Sequence, residues 1–201
     1  MDVGAVLIAI TGVAGTLGGA LLTQRGADRA KKRELEMGHA IQEARENLEL
    51  RRRCYTELHR EARQFATALS RHLYVMRDRA PGEEDIRALE TAKDAHRDCW
   101  SETLMVAPDT VIGPANELND ALTRVYGQIK RMEQGKPRQG ETLRSAAEAQ
   151  HALWPLIRAT REAMRGDLGV TGAAPWPRSD ASDHPAVMIG DFEEALGGPD
   201  S

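Results

Sequence analysis

The chain has 201 residues, 29% of them charged, and a formal net charge of −4. That size admits one domain of ordinary dimensions plus an appendage, and the acidic balance gives no general reason to expect nucleic-acid binding. Aromatic residues make up only 4% and β-branched residues are sparse beyond residue 22. Ala, Leu, Glu, Arg and Gln dominate the remainder, so an all-α chain is expected.

Residues 3–22, VGAVLIAITGVAGTLGGALL, contain no charged side chain. Twenty helical residues reach roughly 30 Å, the thickness of a bilayer's hydrocarbon core. A cleaved signal peptide would want a basic leader and a shorter apolar run, whereas here only Asp2 precedes the run. Basic residues follow it instead: Arg25, Arg29, Lys31, Lys32 and Arg33, against Asp28 alone. The positive-inside rule then places the body in the cytoplasm and the N-terminus outside an inner (plasma) membrane, with the basic cluster facing lipid headgroups. Thr11, Gly15, Gly19 and Thr23 recur every four residues, a small-residue stripe of the kind that lets two transmembrane helices pack closely. Small residues are also simply frequent in such helices.

From Met37 the apolar positions follow a 4-3 spacing: Met37, Ile41, Ala44, Leu48, Tyr55, Leu58, Ala62, Phe65, Leu69 and Met76. This is a heptad seam on one long helix, interrupted only where Arg51 and His72 stand in apolar places. Arg51-Arg52-Arg53 reads as a solvated face with Glu46 and Glu57 at helical spacing. Pro81-Gly82 ends the helix, and Glu83, Glu84 and Asp85 suit the first turn of the next. That second helix is expected to reach about Ala107, with Ile86, Leu89, His96, Trp100 and Leu104 inward. After the break at Pro108 comes the cleanest seam, Val111, Ala115, Leu118, Leu122, Val125, Ile129 and Met132, with Gly113-Pro114 delaying its regular start. Gly135, Pro137 and Gly140 form a linker. A fourth helix over about 141–165 carries Pro155, which predicts a kink or a split.

The cytoplasmic part of the first helix would run roughly 80 Å, about twice the length of its successors. An up-down antiparallel four-helix bundle therefore covers only its far half. The expected organisation is a transmembrane helix over 1–24, a helical stalk over 25–48, a bundle over 49–166 and an acidic disordered tail over 167–201. The tail carries Asp167, Asp180, Asp183, Asp191, Glu193, Glu194 and Asp200 against Arg178 alone. Within it Val187, Ile189, Phe192 and Leu196 share a helical face, a candidate docking segment for a partner protein. Folding back onto the bundle is an equally good account of that segment.

No constellation amounts to an active site. The pairs Glu36/His39 and Glu148/His151 have the spacing of di-iron ligands but lie beside the apolar seam. His72 and His96 have no acidic partner one turn away, and Cys54 and Cys99 lack CxxC spacing, so two reduced thiols are favoured over a disulfide. No catalytic, metal or cofactor site is expected. The sequences TQRGADRAKKRELE, after the glycine-rich span, and RRRCYTELHREARQFATAL, with the break Val106-Ala107-Pro108, resemble small uncharacterised single-span membrane proteins common in high-GC bacterial genomes. That resemblance covers most of residues 3–165 and implies a helical cytoplasmic body but no activity. The expectation is a membrane-anchored, oligomeric, non-catalytic scaffold or interaction protein that meets the bilayer, its own copies and a cytoplasmic protein. The alternative is a membrane-linked sensor or effector, in stress signalling or phage defence, whose oligomerisation disturbs the membrane.

Overall fold

The structure, a computed structural model, describes residues 3–170 and 189–192, with side chains from residue 31 onward except those of 189 and 191. The described residues are helical: α1 (Val3–Asp78), α2 (Glu83–Val106), α3 (Asp109–Glu133), α4 (Leu143–His151), α5 (Leu153–Asp167) and a 3₁₀ turn, Ile189–Phe192. No strand occurs among them. The chain divides into two compact units, Met1–Leu48 and Glu49–Ser201.

In the first unit residues 31–48 are helical and exposed throughout. No helix among the described residues is long and apolar enough to cross a membrane. The apolar run 3–22 belongs to the stretch whose side chains lie outside the described set.

The second unit is a helical bundle, and its long-range contacts fix the direction of each helix. Gln150 and Asp167 touch α1 at Ala66 and at Arg51, so α4 and α5 run antiparallel to α1. Gln128 reaches Ser145, and Thr160 reaches Pro114, so they run antiparallel to α3 as well. Phe65 faces Tyr126 while His72 faces Glu133, which makes α1 and α3 parallel. The α4–α5 pair thus fills the place of a single fourth helix. Its division falls at Ala152, three residues before Pro155, as a proline clashing with the carbonyl four residues back requires.

The boundaries follow from local chemistry. At the start of α2 the Asp85 carboxylate accepts the Gly82 backbone N–H at 2.8 Å and is gripped by Arg79 at 2.7 and 3.1 Å. The Arg79 bond holds its pKa below the usual carboxylate range. At the start of α4 Thr142 and Ser145 cap each other reciprocally, at 3.0 and 2.9 Å. α3 begins at Asp109, ahead of Gly113-Pro114, so the expected delay does not occur. Gly135 and Gly169, at φ 66° and 69°, close α3 and α5 in left-handed turns. Arg131 binds Glu141 across the linker and holds that carboxyl down at about 2.

The main core joins Phe65, Leu69 and Leu73 of α1 to Leu89 of α2, Leu118, Leu122, Val125 and Ile129 of α3, and Leu153, Trp154 and Ile157 of α5. A smaller cluster contains Tyr55, Leu58, Val111, Ala115 and Met164.

Candidate functional site

The 4-3 seam has two different fates. From Tyr55 to Leu69 its apolar residues are buried by the bundle, and Met76 is partly buried. Earlier, Met37, Ile41 and Leu48 are 65, 50 and 43% exposed, and Ala44 is exposed beside them. Scattered exposed apolar residues are ordinary on a protein surface. A heptad-spaced row of them on one helix face is the pattern that a partnered helix covers.

Among the residues singled out in the sequence, Lys31, Lys32 and Arg33 are exposed, and Lys32 lies 3.8 Å from Glu36. The side chains of Thr11, Gly15, Gly19, Thr23, Arg25 and Arg29 lie outside the described residues, as do Val187, Leu196 and the side chain of Ile189. Phe192 is described and is only 5% exposed, a member of the main core. Its ring lies 5.6 Å from that of Tyr74, and the Arg77 guanidinium stands 5.6 Å above it. This part of the tail is therefore packed on the bundle. Asp167 is likewise the last residue of α5.

The two polar interruptions of the seam carry cross-bundle pairs. Arg51 is not part of a merely solvated face: its Nη1 meets both Asp167 oxygens at 3.1 Å, and Tyr55 donates its hydroxyl to the same carboxylate at 2.8 Å. A carboxylate at a helix C-terminus faces the negative end of the peptide dipoles, and Arg51 offsets that. Burial, then the bond to Asp167, pushes the Tyr55 pKa up, keeping the phenol protonated as a donor. Asp167→Ala would strand a buried hydroxyl, with an expected loss of about 1–3 kcal/mol. Arg51→Ala should cost less than about 1 kcal/mol, because the guanidinium keeps water contact. Urea unfolding of the two variants checks that order.

His72, 2% exposed, bonds through Nε2 to Glu133. Its acidic partner comes from α3, which no one-turn search along α1 could find. The pair continues into a ladder. Lys130 lies 2.7 Å from Glu133 and 3.5 Å from Glu90, and Tyr126 and Lys93 each meet Glu90 at 2.5 Å. Desolvation opposes Glu90's charge, but hydrogen bonds from Lys93 and Tyr126 overcome it and hold the carboxyl at about 2. The ladder joins α1, α2 and α3 through paired polar groups, so it favours one helix register.

His96 differs. It is buried with both ring nitrogens lacking a hydrogen-bond partner. Burial pushes its pKa down to about 4, while the nearby Asn119 amide and Glu61 carboxylate pull the other way. Cys54 and Cys99 are free thiols. Burial and surrounding carboxylates raise both pKa values, so neither is an activated nucleophile. Glu36, His39, Glu148 and His151 are all exposed. Among the described residues no three potential metal ligands gather. No protein-family model, curated protein or solved structure matches this chain.

Proposed function

We propose that this protein is a membrane-anchored helical scaffold that acts by assembly and not by catalysis. Residues 3–22 insert as a single span with the N-terminus outside, and the basic cluster 25–33 holds the body at the cytoplasmic face. Two or more copies then join through the stalk and present their bundles to a cytoplasmic protein. The observation that carries this proposal is the exposed row Met37, Ile41 and Leu48, set in the same heptad register as the seam that is buried from Tyr55 to Leu69. A second copy meeting the row side by side would bury its apolar surface at about 25 cal/mol per Å². The small-residue stripe Thr11, Gly15, Gly19 and Thr23 would bring the spans together in the same assembly.

Cysteine crosslinking in native membranes tests the assembly. With Cys54 and Cys99 replaced by serine, Ile41→Cys and Leu48→Cys should give crosslinked oligomers, and Glu43→Cys on the opposite face should give far fewer. Monomers at all three positions would remove the proposal. Reporter fusions after Ser201 test the orientation separately, and a periplasmic signal would reverse it.

A further inference from the structure

Beyond Val170 the structure describes only the 3₁₀ turn Ile189–Phe192. A single turn of this kind has little stability of its own, and Gly190 within it is exposed. What holds it is Phe192, together with a contact to α4. The Phe192 ring lies 5.6 Å from that of Tyr74 and is tilted 44° to it, a geometry that aromatic pairs favour. The Arg77 guanidinium stands over both rings, 4.9 Å from the Tyr74 centroid and 5.6 Å from that of Phe192. Both distances are within cation–π range.

The surface under Phe192 is built by the bundle without help from the tail. Gln150 donates to the Ala66 carbonyl at 3.0 Å, which ties α4 to α1. Thr142 and Ser145 cap the start of α4, and Leu69 and Leu73 fix α1 in the core. Asp78 accepts a hydrogen bond from Arg77 Nε at 2.7 Å. A ring, a guanidinium and a helix flank that are already in place cost little to order, and such a site suits the aromatic anchor of a peptide. The segment seated there reads Asp191-Phe192-Glu193-Glu194, a phenylalanine between carboxylates.

We propose that Tyr74, Arg77 and α4 form a peptide-docking surface, occupied in cis by this chain's own Phe192 and taken by a partner segment that carries a phenylalanine between carboxylates. Residues 171–191 tether Phe192 to the end of α5. Such a tether sets an effective concentration on the order of millimolar. A weak segment of another protein is therefore refused, and a tight or multivalent one displaces the turn. The partner is the cytoplasmic protein of the scaffold reading, and the proposal rests on that reading for its identity as a partner. The cis contact and its displacement are measured whether or not the stalk assembles.

The test uses the full-length protein in mild detergent and, as probe, a fluorescein-labelled synthetic peptide with the sequence of residues 185–197. Fluorescence anisotropy should show the probe binding Phe192→Ala about ten-fold more tightly than wild type, because the variant's site is free. The same peptide with alanine in place of its phenylalanine should bind neither protein. Adding Tyr74→Ala or Arg77→Gln to Phe192→Ala should weaken the probe several-fold, and circular dichroism of each variant separates lost docking from lost folding. A benzophenone amino acid at position 192 should crosslink to its own chain near Tyr74. Equal binding to wild type and Phe192→Ala would overturn the proposal, as would no binding to the folded Phe192→Ala protein, which would make Phe192 a fixed part of the core. Crosslinks to a second chain would overturn it too, since the turn would then be exchanged between copies.

Discussion

Phe65→Ala is expected to destabilise the bundle by about 3–5 kcal/mol. Phe65 is 2% exposed and sits where three helices meet. Its ring centroid lies 5.8 Å from that of His96 on α2 and 6.2 Å from that of Tyr126 on α3. Truncation removes the transfer energy of a whole aromatic ring and leaves a cavity, because the flanking rings are held by their own helices and cannot collapse inward. His96 worsens the outcome, since water entering the cavity would reach a buried imidazole whose nitrogens have no partner. Domains of this size are stable by only about 5–15 kcal/mol, so the variant should stand close to unfolding. Met105→Ala, at a residue 85% exposed, should move stability by less than about 0.5 kcal/mol. Urea midpoints of the two variants, compared with wild type, decide the matter. Equal shifts would mean that the three-helix junction is not where the bundle's stability resides.

How much of this was legible in the sequence depends on where each residue's partner lies. The α3 seam could be read directly, because nearly every inward position is apolar and period alone identifies it. The α4–α5 division was equally legible, since one proline acts on the carbonyl four residues behind it. Leu73 and Ala66 of α1 are fully buried but lie beside the 4-3 seam. A helix packed among several neighbours buries a wider stripe than a two-stranded coiled coil does. Arg51 and His72 read as faults in the seam because their partners are 116 and 61 residues away, and spacing rules reach only along one helix. Gln150 and Thr160 were missed for a related reason. Each is buried with its polar atom donating to a distant backbone carbonyl, of Ala66 and Pro114 respectively, and sequence does not announce such acceptors. The exposed stalk row was legible as a pattern.

The stability of the bundle should fall by about 3 kcal/mol as the pH drops from 7 to 4, through His96 alone. Its pKa is about 4 in the fold, against an ordinary histidine value of 6.5. Folding therefore favours the neutral imidazole, and the unfolded chain binds the proton first. The contribution is complete above pH 6.5, where both states are neutral, and is lost progressively as pH falls from 6.5 towards 4. Burial dominates the shift. The opposing groups are the Asn119 amide on α3, which approaches the ring without completing a hydrogen bond, and the Glu61 carboxylate on α1, which is already engaged by Arg60. Neither offers the imidazolium what water does. Glu90 and Glu141, each held at about 2, weaken the fold only below the ordinary carboxylate range, so their losses begin near pH 4.5 and overlap little with that of His96. His96→Leu keeps an apolar group of comparable bulk against Phe65 and removes the titration. Urea unfolding of wild type and His96→Leu at pH 7, 6, 5 and 4 should give curves that diverge on acidification, the wild type losing stability faster. Parallel curves would mean that His96 takes up its proton inside the fold, with Glu61 released from Arg60 to receive it. The α1–α2 interface would then be polar where the structure makes it dry.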